Sequence, residues 1–324
     1  MRYLVTGGAG FIGHNVVRLL EQQGHECIIL DCVTNYDFVD LDELDYLIQE
    51  RQRRFHANIH YIDLRDHKKV EDLFRTFSTG CAGVIHLASF PRQKVFSKNP
   101  VWASDVMGTG LINLLEMTKN YRIPKFVYVS SSMVYGDFRD GVRESAECNP
   151  IGQYGIMKYM GEKLVEDYNR RGYFDYSIVR PSAVYGEYDV EDRVVSKFLL
   201  AAMRDETLVV HGATESLDFT HVDDVAHGIV LAATKTEANG NIYNITRCAS
   251  KSITLLDAAA LCIKIVGQGK IDIQEKNQYF PSRGRLNIDA ARTDLGYNPI
   301  INFRQGVKMY YKWFKESPYW KTKI

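Results

Sequence analysis

The sequence predicts an α/β protein: a doubly wound parallel sheet followed by a smaller mixed α/β lobe. Three observations carry this. Strand-length apolar runs alternate with helix-periodic segments from Arg2 to Pro181. The first run leads at once into a glycine turn and a helical pattern, "YLVTGGAGFIGHNVVRLLEQQG". After Pro181 the alternation breaks down, and the strands become short and irregularly spaced. Strand–helix–strand units of the first kind close with right-handed crossovers.

Each element follows in order. "ECIILD" is a second apolar strand ending on Asp31, and "IHYIDLRD" is a third. "LDELDYLIQERQRR" between them is charged and helix-periodic, which reads as a solvated insertion helix. "VEDLFRTFS" has helix spacing and "GVIHLAS" is the fourth strand. "VWASDVMGTGLINLLEMTKNY" is a long helix before the strand "KFVYVSSS". "YGIMKYMGEKLVEDYNRRG" is another helix and "YSIVRPSAVYG" another strand. Beyond it, "HVDDVAHGIVLAAT", "TLLDAAALCIKIVG" and "DAARTDLG" read as helices and "IYNIT" as a strand. The segment Phe303 to Lys315 is amphipathic. The expected division is 1–180, with 219–247 returning to it, and a second lobe from 181–218 and 248–324.

A chain of 324 residues suits one large domain with a second lobe. Lysine plus arginine equals aspartate plus glutamate at 40 each, so net charge gives no case for a nucleic-acid or membrane partner. The six cysteines form no C-x-x-C and no zinc spacing, and they read as reduced thiols. No metal is expected. The first strand begins directly after Met1, which leaves no room for a signal peptide, and no apolar run reaches membrane-spanning length. A cytoplasmic protein is expected.

The glycines at 7, 10 and 13 are spaced G-x-x-G-x-x-G. Gly7 permits a tight turn, Gly10 lets backbone approach a pyrophosphate, and Gly13 lets helix and strand pack closely. Phe11 and Ile12 then lie where a helix N-terminus offers amide donors to an anion. Asp31, at the end of the next strand, suits the ribose hydroxyls of an adenosine and repels a 2′-phosphate. Cys32 and Val33 offer no arginine for such a phosphate, so NAD is the expected cofactor rather than NADP. Asp63 and Leu64 end the third strand, where they meet an adenine edge or cap the strand.

Tyr154 and Lys158 lie at i and i+4 of a predicted helix and share a face. An ammonium beside a phenol lowers its pKa from about 10 toward working pH and makes it a candidate general base. The serine-rich strand end at 130–132 precedes this pair and offers a hydroxyl to the same substrate oxygen.

Together these motifs resemble the extended short-chain dehydrogenase/reductase family, on a Rossmann fold, and within it the nucleotide-sugar epimerases and dehydratases. "GGAGFIG", "HLAS", "SSSMVYG", "YGIMK", "RPSAVYG", "DFTHVDDVA" and "RGRLNIDAARTDLGYNP" all match its landmarks. The resemblance implies Leu87, Ala88 and Ser89 at the cofactor and a catalytic set of Ser131, Tyr154 and Lys158. It also implies a nucleotide-sugar substrate, a substrate-binding second lobe, and a homodimer formed through the helices near 101–120 and 154–171. Dehydratases of the family carry aspartate and glutamate where this chain has Ser132 and Met133, and decarboxylases keep the glutamate. A thioether cannot shuttle a proton. The expected activity is therefore NAD-dependent C4 epimerisation of a UDP-hexose or UDP-uronic acid through a 4-keto sugar. A dehydratase or decarboxylase, a keto-sugar reductase and a non-catalytic NAD-sensing protein are the alternatives.

Ser132 is either a second donor to substrate or part of the strand end. Arg283 matches a phosphate-binding arginine. Ala183 and Leu217 stand where relatives carry asparagine and arginine for the diphosphate. Lys94 aligns with an arginine of uronic-acid relatives, so it faces a sugar carboxylate or water. Arg193, Lys197 and Arg285 read as a solvated face. His86 reads as structural, and Asp223 as a helix cap rather than a metal ligand.

Overall fold

The computed structural model describes residues 1–35, 39–278 and 280–324. Its centre is a seven-stranded, wholly parallel sheet. In chain order the first part runs β1 (Arg2–Thr6), α1 (Gly13–Gln22), β2 (Glu26–Asp31), α2 (Leu41–Gln52), β3 (Ile59–Tyr61) and α3 (His67–Phe77). It continues β4 (Cys81–His86), α4 (Gln93–Phe96), α5 (Pro100–Asn120), β5 (Lys125–Val129), α6 (Gln153–Arg170) and β6 (Asp175–Pro181). Next come β7 (Val184–Tyr185), α7 (Val194–Met203), β8 (Thr207–His211), β9 (Ser216–Leu217), β10 (Thr220–His221), α8 (Val222–Thr234) and β11 (Asn241–Ile245). The chain ends with β12 (Ile253–Thr254), α9 (Leu255–Val266), β13 (Lys270–Gln274), α10 (Asp289–Leu295), α11 (Phe303–Glu316) and α12 (Pro318–Lys321).

The strand order is β11-β6-β5-β4-β1-β2-β3. From β1 the chain winds outward through β2 and β3, then crosses back to β4 and winds the other way. That reversal opens a crevice beyond the C-terminal ends of β1 and β4, where ligands of such sheets sit. Both sheet faces are covered, which is why the strands read as unbroken apolar runs. Tyr3, Val5, Cys27, Ile29 and Ile85 pack with α1 and α8 on one face. Leu4, Ile28, Leu30, Val84 and Phe126 pack with α3 and α5 on the other.

β11 returns from the later chain to pair in parallel with β6 at the sheet edge. The remaining later segments build their own core around Phe198, Leu199, Phe219, Tyr310, Phe314 and Trp320. No helix among the described residues is long and apolar enough to cross a membrane.

Two local expectations are corrected. α2 is not a solvated insertion: Glu43, Leu47 and Arg51 are buried, because the helix lies against the loop after β7. The cap of α8 is His221 rather than Asp223. The His221 ring accepts from the Asp223 N–H at 3.3 Å, and its other nitrogen meets Glu187 Oε2 at 3.0 Å. Asp223 is instead drawn away to Arg18, at 2.8 Å.

Candidate active site

A cavity of about 650 Å³ opens at the crevice between β1 and β4. All the residues singled out above as cofactor, catalytic or substrate candidates line it: Gly7, Gly10, Phe11, Ile12, Gly13, Asp31, Asp63, Leu64, Leu87, Ala88, Ser89, Lys94, Ser131, Ser132, Met133, Tyr154, Lys158 and Arg283. Residues far apart in sequence meet there because the sheet is parallel, so every strand delivers its C-terminal end to the same edge.

At the glycine turn, a Cβ on Gly13 would stand 2.0 Å from the Gly7 carbonyl oxygen, so helix and loop can approach only without a side chain. Gly7 has φ +70, and a Cβ there would lie 2.7 Å from the Ala88 nitrogen. The result is a cradle of bare backbone at the start of α1. Asp31 is held beside it. Its two oxygens accept from the Ala9 N–H at 3.0 Å and the Val33 N–H at 2.8 Å. One protein donor per oxygen leaves lone pairs for a pair of vicinal hydroxyls. Bare cradle and half-committed carboxylate together fit an adenine dinucleotide. Asp63 is partly committed elsewhere: Arg65 grips its carboxylate and lowers its pKa, and Arg65 also reaches Asp105 at 3.1 Å.

The catalytic candidates converge through backbone contacts. β5 ends at Val129, and Ser131 caps the short 3-10 turn Ser132–Tyr135, accepting from the Met133 N–H at 3.2 Å. α6 presses on that turn so closely that a Cβ on Gly155 would lie 2.7 Å from the Met133 carbonyl oxygen. Gln93 fixes the start of α6 by accepting the Tyr154 N–H at 2.9 Å. The Ser131 hydroxyl lies close enough to the Tyr154 phenol to pull its pKa down. Lys158 donates to the Val129 carbonyl at 2.8 Å, and its ammonium lies 5.9 Å from the centre of the Tyr154 ring.

Electrostatics correct one expectation. Burial raises the Tyr154 pKa, against the lowering pull of Arg193 and of the Ser131 hydrogen bond. Burial also pushes Lys158 down to about 7, with Glu162 opposing. Proximity alone therefore does not activate the phenol, because desolvation penalises both charged forms. His86 is structural, as expected. Its ring meets Thr6 Oγ1 at 2.7 Å, and burial holds its pKa near 3.

Of the weaker candidates, Ser132 is buried with its hydroxyl donating to Ser182 at 3.0 Å, and Met133 is buried beside it. Arg283 has a buried Nε with no hydrogen-bond partner, and burial lowers its pKa to about 10. Ala183 adopts φ +40, a left-handed backbone that asparagine tolerates better than alanine, and Leu217 lines the cavity near it. Arg285 is tied to Asp140 at 2.9 Å. Arg193 and Lys197 are not simply solvated, since both line the cavity. Lys94 is paired with Asp192 at 3.1 Å.

Sequence reasoning missed Gln93, Arg51 and Asp192. Arg51 is buried and donates to the Tyr188 carbonyl at 2.7 Å, with Asp31 and Asp189 as charge partners. Nothing local marks these residues, since their partners lie on distant segments.

The α2 contact yields a pH-dependent expectation. Glu43 accepts the Glu191 N–H at 2.6 Å, and burial raises its pKa from 4.5 to about 7. The folded chain thus keeps a proton that the unfolded carboxyl has lost. Its stability contribution is full below pH 4.5 and falls as pH rises through about 7, by about 3 kcal/mol in all. Glu43→Gln removes this loss. The melting temperature of the variant relative to wild type should be more favourable at pH 8 than at pH 5, and an unchanged difference would refute the assignment.

The comparisons agree with this geometry. Residues 3–246 match the model of the NAD dependent epimerase/dehydratase family. A putative UDP-glucose 4-epimerase of Methanocaldococcus jannaschii is 31% identical over 97% of this chain and 98% of its own. A dTDP-D-glucose 4,6-dehydratase of Bos taurus is 28% identical over 99% of this chain and 91% of its own. The crystal structure of UDP-glucuronic acid 4-epimerase from Bacillus cereus, in complex with UDP-glucuronic acid and NAD, superposes with a TM-score of 0.88 at 25% identity, covering 98% and 99% of the two chains. The chain belongs to the NAD dependent epimerase/dehydratase family, the extended short-chain dehydrogenase/reductases that its motifs resemble.

Proposed function

We propose that the protein is an NAD-dependent nucleotide-sugar 4-epimerase, acting on a UDP-hexose or UDP-uronic acid through a 4-keto sugar. The observation that carries this reading is the convergence of Ser131, Tyr154 and Lys158 on one cavity wall, with Met133 buried where elimination chemistry needs a carboxylate.

Gly7, Gly10, Phe11, Ile12 and Gly13 hold the pyrophosphate of NAD, Asp31 holds its adenosine ribose, and Asp63, Leu64, Leu87, Ala88 and Ser89 flank it. When bound, the nicotinamide accepts and returns the two electrons of the sugar carbon. Tyr154 takes the proton of the sugar hydroxyl and gives it back after the ring has turned. Ser131 holds the same oxygen and lowers the cost of the phenolate, in the direction in which it already pulls the Tyr154 pKa. Lys158, anchored on Val129, supplies positive charge beneath the phenol when protonated. Arg283, with a free buried donor, holds the diphosphate. Segments 181–218 and 248–324 form the lobe that carries the nucleotide sugar.

The same reading makes the enzyme a cytoplasmic homodimer. α5 and α6 lie side by side and expose Val101, Ile112 and Ile156 at 84%, 44% and 51%, an apolar surface that a second copy would cover.

The test is to incubate the protein with a panel of UDP-sugars and follow products by NMR and absorbance at the NADH band. Interconversion of C4 epimers with no net absorbance change is expected. Loss of water or carbon dioxide, or steady NADH production, would overturn the reading. Light scattering on the same sample should return twice the chain mass.

A further inference from the structure

The end of α2 grips the glycine cradle from behind. Arg51 is buried, and its Nη1 reaches the Ala9 carbonyl in a long bond of 3.4 Å. The N–H of that same Ala9 donates to Asp31 Oδ2 at 3.0 Å. Ala9 is buried too, and it lies between Gly7 and Gly10. Both of its backbone polar groups are thus held by charged side chains, the carbonyl by Arg51 and the N–H by Asp31. Arg51 also acts on Asp31 through its charge. Burial raises the Asp31 carboxyl pKa, and the Val33 and Ala9 N–H groups and the Arg51 guanidinium oppose that rise.

Arg54, just beyond α2, repeats the pattern. Its Nη1 lies 2.9 Å from His14 Nε2, and His14 Nδ1 lies 3.0 Å from the Gly10 carbonyl oxygen. Burial holds the His14 pKa well below that of an ordinary imidazole, so the ring is neutral. A guanidinium has no acceptor, so Nε2 accepts and Nδ1 carries the proton that goes to Gly10. Both arginines are braced on Tyr188, in the loop after β7. Arg51 donates to its carbonyl from Nε at 3.1 Å and Nη2 at 2.7 Å, and Arg54 stands 4.5 Å from its ring centre. Backbone N–H groups hold an anion and carbonyl oxygens repel it. Donors on the Ala9 and Gly10 carbonyls therefore suit the cradle to a pyrophosphate.

We propose that Arg51 is a positioning residue for the cofactor: it holds the Ala9 peptide, and through it the Asp31 carboxylate, in the orientation that receives the adenosine ribose of NAD. This rests on the reading of the cradle and Asp31 as the adenosine site and deepens it. The terminal torsion of an aspartate is soft, so the partners of its two oxygens aim it. One partner is the Val33 N–H, which belongs to the same strand end as Asp31. The other is Ala9, which comes from the opposite side of the crevice and is the one that Arg51 holds. Arg51 itself lines the cavity, but its Nε and Nη2 are spent on Tyr188 and its Nη1 on Ala9, so it acts through its neighbours.

The test is a double-mutant cycle on NAD affinity, read by calorimetry on the full chain after bound NAD is removed, with thermal melts to confirm folding. Arg51→Met should weaken NAD binding by roughly tenfold or more, the scale of a lost charge-assisted contact. Asp31→Asn should weaken it as well. In the Asp31→Asn background, Arg51→Met should cost no more than about twofold, because residues that act as a unit are not additive. Unchanged affinity in Arg51→Met overturns the proposal. So does a full effect in the Asp31→Asn background, which would give Arg51 a direct contact with the pyrophosphate or a role in the fold at large. Arg51→Lys keeps the buried charge but loses the fork that spans two carbonyls. It replaces Arg51→Met in the cycle if that variant does not melt as a folded protein, with the same outcomes at smaller amplitude. A wild type that binds no NAD, or an Asp31→Asn variant that binds it as wild type does, fails the adenosine reading, and the role of Arg51 falls with it. Wild-type binding with a silent Arg51 fails the present proposal alone.

Discussion

Tyr154→Phe is expected to leave the fold and the bound NAD intact while lowering turnover by about a thousandfold, the middle of the range for loss of a positioned acid–base group. The substitution deletes one oxygen. The backbone contact that positions residue 154, its N–H to Gln93 at 2.9 Å, remains. So does the anchor of Lys158 on Val129. What disappears is the phenol on which Ser131 acts, on the wall of the cavity. Lys158 is not expected to take over the proton transfer, because its ammonium is committed to the Val129 carbonyl at 2.8 Å. The measurement is single-substrate turnover by NMR, with NAD content read from the denatured protein. Turnover within tenfold of wild type would remove Tyr154 from the mechanism.

The second large effect is on stability. Arg180 in β6 and Glu162 in α6 form a buried ion pair at 2.6 Å, with side chains 3% and 0% exposed. Ser130 donates to the same carboxylate, while Arg180 also donates to the Tyr135 hydroxyl at 2.9 Å and to the Glu144 carbonyl at 3.2 Å. Tyr135 passes the chain of bonds on to Asn244 in β11. The network therefore ties the helix bearing Tyr154 and Lys158 to the sheet edge. Arg180→Met leaves Glu162 as an uncompensated buried charge, which costs about 3–5 kcal/mol. The melting temperature should fall by on the order of 10 °C. Adding Glu162→Leu should recover part of the loss, because two apolar groups replace the pair without stranding a charge. A single variant that melts within 2 °C of wild type, on the order of the effect of 1 kcal/mol or less, would show that the pair does not hold the helix.

Much of this protein was legible before its fold was known. The turn at Gly7–Gly13, Asp31 at a strand end and the Tyr154–Lys158 spacing are local patterns, and backbone geometry gives each a limited range of outcomes. Ser131 was assigned through the family resemblance, and it lines the same cavity as Tyr154. Burial followed from continuous apolar strands for the same reason. The solvated reading of α2 failed because a charged helix can bury its charges when distant partners supply bonds, as Glu191 and Tyr188 do for Glu43 and Arg51.

The order of strands and helices, the glycine cradle and the Tyr154–Lys158 spacing were thus determined by the sequence alone, since each depends on neighbours within a few residues or on a periodicity, whereas the meaning of Met133 came from the family resemblance. The tertiary structure decided which charges meet. Asp192 collects Arg92 and Lys94 from one segment and Lys197 from another, His221 rather than Asp223 caps α8, and burial sets the proton affinities of Tyr154 and Lys158. Ion pairing and desolvation depend on distances across the fold, and those distances exist only once the sheet has brought its strand ends to one edge.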